Sequence, residues 1–274
     1  MSSTAVKLDF GASQLLTSEK MKKHPTISKL VYGIFGYTNI GNWARSLVVI
    51  KLFNKVPLRQ FNKIMDLGAG LGEFSFMLSP ALPNARITAL EIWQERVKIL
   101  EETIRKGNYQ NVSVHPDKIE TIPEQETYDF IYSIDVFEHI YENEMPFKAA
   151  KARLKPGGFL LVKIPNIKQI TIFPESWFKE HDEWLDDEHV GQVYDLNGLK
   201  KRFEDEGFVI EYAANSDGWF SRLGWEIGYF AKKGGMFLQL FFLPLCKFCV
   251  YLDRWFGGDN LKKGNAIQVI GRKP

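Results

Sequence analysis

The sequence predicts an α/β protein with a seven-stranded, mostly parallel sheet and helices on both faces. Three observations carry this. Short β-rich runs alternate with helical patterns along most of the chain. An apolar strand runs into the glycine turn "IMDLGAGLGEFS". The 274 residues, 45% of them hydrophobic, are enough to bury a sizeable core. Sheets of this kind bind ligands beyond the carboxyl ends of their strands, near the point where strand order reverses, and the glycine turn falls at that edge.

Strands are expected at Lys63–Leu67, Arg86–Glu91, Asn111–His115, Tyr128–Ile134, Phe159–Ile164, Phe208–Ala213 and Ala266–Gly271. Between them, "QERVKILEETIRKG" repeats Val97, Leu100 and Ile104 at helical spacing, and Gly107 supplies its stop. "LKPGGFLLVKIPN" reads as a helix stop, a turn and the fifth strand. Three segments stand outside the alternation. Residues 1–60 form an N-terminal helical extension with the amphipathic stretch "NWARSLVVIKLFNKV". Residues 166–195 make an aromatic, acidic loop, and residues 215–263 a hydrophobic helical insertion before the last strand. Residues 61–214 and 264–274 are left as the ligand-binding domain, with the additions serving the substrate.

A net charge of +2 without runs of like charge gives no electrostatic case for nucleic acid. The N-terminus lacks a signal-peptide pattern, so a cytoplasmic protein is expected, with room for association at the cytoplasmic face of a membrane. Cys246 and Cys249 have C-x-x-C spacing but sit in apolar "FFLPLCKFCVYL", which reads as packing thiols, and no second Cys/His pair completes a zinc site.

The turn itself, Asp66-Leu67-Gly68-Ala69-Gly70-Leu71-Gly72, is G-x-G-x-G after an acid. No Gly-Lys-Ser/Thr follows, which excludes a phosphate-cradling loop. A pyrophosphate at the next helix would meet Asp66 and Glu73. Carboxylates there suit a ligand carrying an ammonium or sulfonium group, and the glycines let backbone approach it closely. The glycine spacing and Asp66 also disfavour a nicotinamide-dependent oxidoreductase. Glu91, at the tip of the second strand, is placed to take both hydroxyls of a ribose. After the third strand, "HPDKIE" offers Asp117 to an exocyclic amine and Ile119 as cover for a flat base.

With "YSIDVFEHI" after strand four and "LKPGGFLLVKIPN" at strand five, residues Phe61 to Tyr212 resemble the class I S-adenosylmethionine-dependent methyltransferases, which have a Rossmann-like sheet. The resemblance implies S-adenosyl-L-methionine as cofactor. Gly68, Ala69, Gly70 and Gly72 would line its methionine portion, and Asp66 would orient its amino group. Glu91 would hold the ribose and Ile92 the adenine, with Asp117 and Lys118 flanking the base. Ser133 and Asp135 would lie beside the sulfonium. The chemistry implied is displacement, with a nucleophile attacking the methyl group in line with the departing sulfur.

"DVFEHI" offers Asp135, Glu138 and His139, and "ESWFKEHDEWLDDEHVGQVYDLNGL" offers His181 and His189. This pattern is similar to the ubiquinone-biosynthesis O-methyltransferases and, more distantly, the small-RNA 2'-O-methyltransferases. In both, an acid-x-x-Glu-His run can bind a divalent cation, and the latter add a later histidine. Here the first acid is Asp135 rather than Glu, which has a shorter reach. The resemblance leaves a divalent cation open, with Asp135, Glu138, His139 and His189 as candidate ligands, and these donors suit zinc or manganese better than magnesium. His139 or His189 can also serve as a general base for a phenol or acidic hydroxyl, and packing histidines are the plain alternative. His181, among acids, reads as a solvated loop residue.

Met236 to Leu252 is almost wholly apolar, broken by Gln239, Pro244 and Lys247. With a central proline it falls short of a membrane span. Lys232, Lys233, Arg254, Lys262 and Lys263 flank it, as on a segment lying at a membrane interface. A lid over a greasy substrate, a packed helical pair and a dimer contact are the other readings. The expected function is methyl transfer to a small hydrophobic acceptor, at the oxygen of a lipid, quinone or lipid-linked sugar. N- or C-methylation of a lipid-like metabolite is an alternative, as is a silent protein that binds a partner through 215–263.

Overall fold

Alternate residues of the central strands leave the sheet on opposite sides, and each side has its own core. The strands, in a computed structural model of the chain, are β1 (Lys63–Leu67), β2 (Arg86–Leu90), β3 (Val112–His115), β4 (Tyr128–Ile134), β5 (Leu154–Pro165), β6 (Val209–Ser216) and β7 (Ala266–Arg272). They form one sheet in the order β3-β2-β1-β4-β5-β7-β6. Only β7 runs antiparallel to its neighbours. The structure describes residues 6–11, 13–18, 21, 23–179, 189–191, 194–257 and 261–274.

Described helices are α1 (Gln14–Thr17), α2 (Pro25–Phe35), α3 (Ile40–Phe53), α4 (Glu73–Ala81), α5 (Gln94–Gly107), α6 (Phe147–Ala152), α7 (Leu196–Asp205), α8 (Trp219–Lys233) and α9 (Met236–Phe256). On one face, Ile64, Phe130, Tyr132 and Leu161 of the strands meet Phe53 of α3, Phe76 of α4 and Leu100 of α5. On the other, Met65, Ile131, Leu160 and Val162 meet Phe147 of α6 and Phe203 of α7. Truncating any of these buried rings to alanine costs about 3–5 kcal/mol, because the cavity adds to the lost transfer energy.

The sheet is the seven-stranded, mostly parallel one that the sequence predicts, with differences at the ends of elements, as at β6, which runs on to Ser216 instead of stopping at Ala213. β5 starts at Leu154, because Leu154 already pairs with Tyr128 across a register shift before Phe159 joins Phe130. The stop of α5 is Asn108, which takes the left-handed conformation at φ 55°, and not Gly107. Asparagine tolerates that region. Gly107 instead makes room for Tyr109, whose ring a β-carbon there would meet at 2.2 Å.

Inserted between β6 and β7, α8 and α9 form an antiparallel hairpin. Gly224 lets the two helices approach, since a β-carbon there would lie 2.7 Å from the Cys246 carbonyl oxygen. Asp253 caps α8 by accepting from the amides of Phe220 (3.2 Å) and Ser221 (2.7 Å). Glu226 accepts from the amides of Ile172 (3.1 Å) and Phe173 (2.8 Å) and so pins the loop that follows β5. Cys246 and Cys249 are buried and unbridged. Burial pushes the Cys246 thiol up to about 11, so this pair packs as inert thiols.

Candidate functional site

Strand order reverses between β1 and β4, so a crevice opens beyond the carboxyl ends of β1, β2 and β4. The turn after β1 is sewn to the end of β2, with the Gly68 and Ala69 amides donating to the Leu90 carbonyl at 3.0 and 2.8 Å. Gly68, Gly70 and Gly72 all have positive φ, at 81°, 58° and 75°. A β-carbon at Gly68 would strike Val136, and one at Gly72 would strike Leu100 and Phe76. One at Gly70 meets nothing within 4 Å, so this glycine presents bare backbone to open space.

Two carboxylates flank that backbone. Asp66 is 3% exposed and accepts from the Ser75 hydroxyl at 2.7 Å. Burial pushes its carboxyl up to about 6, against the Ser75 and Tyr132 hydroxyls and helped by the nearby Glu91 charge. Glu91, equally buried, accepts from the amides of Gly70 (2.8 Å) and Trp93 (2.9 Å). Ile92 and Trp93 beside it are exposed, which leaves apolar surface at the tip of β2. Asp117 and Lys118 are exposed too, and Asp117 accepts from the Lys118 amide at 2.7 Å.

Two expected contacts go elsewhere. Ile119 opens a 3₁₀ turn that rotates its side chain into the core beside Met65 and Leu90 rather than over a base. Ser133 is fully buried and donates to the Leu67 carbonyl at 2.9 Å, so its hydroxyl ties β4 to β1.

The far side of the crevice carries a buried charge cluster. Asp135 has φ 53°, and its amide donates to the Lys163 carbonyl at 2.8 Å. Its carboxylate accepts from the Lys163 amine at 3.0 Å and is paired with Arg45 of α3. Burial alone would raise the Asp135 carboxyl, but Arg45, Lys163 and His189 hold it below the usual range. Glu138, 1% exposed, is pushed well above its usual value by burial and by the Asp135 charge. Its Oε2 has no hydrogen-bond partner. The ligand atoms of Glu138, His139 and His189 lie within 4.8 Å of one another, and the two imidazoles meet edge to face at 4.9 Å. Of the four candidate metal ligands, Asp135 is not one of this group, and its carboxylate is paired with Arg45 and Lys163. His181 lies outside the described residues.

The N-terminal extension closes over the crevice. The Tyr37 hydroxyl donates to Glu73 at the start of α4, Asn42 donates to Tyr37 (3.2 Å), and Arg45 donates to Asn42 (3.4 Å) and reaches Asp135. Sequence reasoning assigned no role to Tyr37, Asn42, Arg45 or Lys163. A signal existed for Lys163, the one charge inside apolar "FLLVKIP". For the other three no local pattern announces a partner so distant in sequence.

Residues 43–213 match the family profile of a methyltransferase domain. The chain belongs to that family. This methyltransferase is 32% identical to malonyl-[acyl-carrier protein] O-methyltransferase 2 of Ilyobacter polytropus over 54% of its own length and 55% of that protein's. It is 26% identical to (S)-coclaurine N-methyltransferase of Thalictrum flavum subsp. glaucum over 49% of its length and 39% of that protein's. It thus spans about half or less of these curated relatives. The crystal structure of coclaurine N-methyltransferase bound to N-methylheliamine and SAH superposes with a TM-score of 0.59 at 20% identity, covering 84% of this chain and 72% of that one. The fold is that of a class I methyltransferase, whose cofactor is S-adenosylmethionine. The turn fits this cofactor, since Gly70 leaves open a space that any β-carbon would enter and the buried Asp66 carboxylate favours a cation beside it.

Proposed function

We propose that this methyltransferase transfers the methyl group to an oxygen of a small, apolar, lipid-like acceptor. When bound, S-adenosylmethionine supplies an electrophilic methyl group on a sulfonium. In this reading Asp66 meets its ammonium group, Glu91 its ribose hydroxyls and Ile92 its base. Arg45 and Lys163 hold Asp135 ionised on the acceptor side. His139 or His189 takes the proton from the acceptor hydroxyl as it attacks.

The observation that carries this reading is the double role of α3. Arg45 reaches Asp135, on which His189 also acts electrostatically, while Gly41 faces Trp225 of an aromatic cluster. Phe178, Trp225, Tyr229 and Phe230 make that cluster, with ring centroids 5.3–6.0 Å apart. A base on one side and an apolar wall on the other suit a hydroxylated, greasy acceptor. Peripheral contact with a membrane at residues 236–252 belongs to the same reading, because a lipid-like acceptor has to be drawn from a bilayer.

The relation to a coclaurine N-methyltransferase supports a second reading, with nitrogen as the acceptor. The test is a transfer assay with labelled cofactor against lipid, quinone and amine extracts, repeated with a chelator. For an oxygen acceptor, His139→Ala or His189→Ala lowers kcat by about 100-fold with cofactor KM unchanged. Labelled amine products in place of labelled lipids or quinones support nitrogen as the acceptor. No labelled product with any extract, despite cofactor binding, supports the silent protein.

A further inference from the structure

We infer that α9 and α2 together form a platform that lies in the headgroup layer of an anionic membrane leaflet. This rests on the membrane contact in the proposed function, not on the acceptor or the transfer. The outer side of α9 is an unbroken apolar stripe, with Phe237 81%, Phe241 68%, Phe248 51% and Trp255 73% exposed. Spaced by one or two turns, with the exposed Leu245 and Tyr251 in the wider gaps, these residues run the length of a helix roughly 30 Å long. α2 has no buried residue, and it turns Ile27, Leu30 and Ile34 outward at 57–67% exposure. The two surfaces adjoin. The Lys247 amine of α9 donates to the Phe35 carbonyl that ends α2, at 2.6 Å, and Gln239 donates to the Thr38 carbonyl at 3.2 Å.

Charge identifies the occupant. No Asp or Glu occurs between Glu19 and Asp66, whereas Lys23 and Lys29 are exposed on or beside α2. The described residues of the α8–α9 insertion include three acids: Glu226 and Asp253 are buried and hydrogen-bonded within the protein, and Asp217, next to the end of β6, lies 4.0 Å from the Lys163 amine of the crevice. The insertion's exposed charges Lys232, Arg254, Lys262 and Lys263 are all basic. Apolar rings rimmed by cations match an anionic lipid surface, where each basic residue strengthens adsorption by about five-fold. A second copy of this chain would bring the same cations against each other.

The packing also decides orientation. By length and composition α9 is long and apolar enough to cross a membrane. Yet its other face holds Leu243, Cys246, Cys249 and Val250 in the core, and its Asp253 caps α8. Crossing a bilayer would strip these contacts and leave that carboxylate in hydrocarbon, so the helix lies flat. α3 follows α2 directly and carries Arg45 to Asp135, so a docked platform sets the crevice at the lipid surface.

The test is flotation of the full chain, without cofactor or acceptor, on vesicles of phosphatidylcholine alone or mixed with phosphatidylglycerol. We expect about ten-fold more protein on the anionic vesicles, and release at about 1 M salt, where the screening length shrinks to about 3 Å. The variants Phe237→Ser/Phe241→Ser/Phe248→Ser and Ile27→Ser/Leu30→Ser/Ile34→Ser each lower binding about ten-fold, with cofactor affinity unchanged as the check on folding. Absence of flotation, or equal binding to neutral vesicles, overturns the proposal. So does a dimer in solution that the α9 variant dissociates. Unchanged binding by the α2 variant removes α2 from the platform. Because no acceptor is present, failure of the transfer assay leaves these outcomes unaffected.

Discussion

Glu91 holds Gly70 by its amide: the carboxylate at the end of β2 accepts the Gly70 N–H at 2.8 Å and so fixes the loop that follows β1. The same carboxylate is the proposed partner of the ribose. Glu91→Ala should therefore act twice, lowering cofactor affinity at least about ten-fold and stability by about 1–3 kcal/mol through the orphaned amides. Calorimetric titration and thermal unfolding check both. Unchanged affinity would remove Glu91 from the cofactor site.

Asp66 makes both stability and cofactor binding depend on pH. Its carboxyl is pushed up to about 6 by burial, from 3.8. Below about pH 4 neither the folded nor the unfolded chain bears this charge, and no penalty exists. As pH rises from about 4 to 6 the unfolded chain ionises first, so stability falls, and above about 6 the full penalty of roughly 3 kcal/mol is present. Asp66→Asn should then melt higher than the parent at pH 8 without cofactor, and its loss of stability across that window should be smaller than the parent's by about the same amount. Cofactor affinity of the parent, which needs the carboxylate, should drop about ten-fold from pH 7 to pH 5 and hardly vary in the variant. A variant that melts lower at pH 8 would contradict the burial account.

Neighbouring glycines should respond differently. Gly68→Ala drives a β-carbon to 2.5 Å from Val136 and should destabilise the fold by about 2–4 kcal/mol. Gly70→Ala meets open space and should cost only about 1 kcal/mol of backbone strain, yet it should block the cofactor. Melting curves set beside binding isotherms separate the two effects. If Gly70→Ala binds normally, the open space is not the cofactor's.

Lys163 and Arg45 share Asp135 unequally. Lys163 is 3% exposed, so Lys163→Met leaves a buried carboxylate and should cost about 3–5 kcal/mol. The Arg45 side chain is 37% exposed, and water takes over part of its pairing, so Arg45→Met should cost about 1 kcal/mol. Denaturant unfolding of both variants tests the ranking, and the reverse order would mean that Arg45 is the main counter-charge.

Most of the fold was legible because it repeats along the chain. Strand ends at Leu67 and Ile134, the helix over 94–107 and the glycine turn all follow from local pattern. The charge cluster was less legible, since Arg45 and Asp135 lie 90 positions apart in sequence and only the closed fold joins them. Ile119 and Ser133 show the converse, because a motif gave their positions but the turn and the sheet set where their side chains point. Gly107 misled in the same way, standing where Tyr109 needs space rather than where the helix needs a left-handed residue.

The most direct measurement is a crystal structure with S-adenosylhomocysteine bound. The account predicts the ligand against Gly70, with its amino group near Asp66 and its ribose hydroxyls on Glu91. A ligand lodged elsewhere, with Glu91 still accepting only from Gly70 and Trp93, would contradict it.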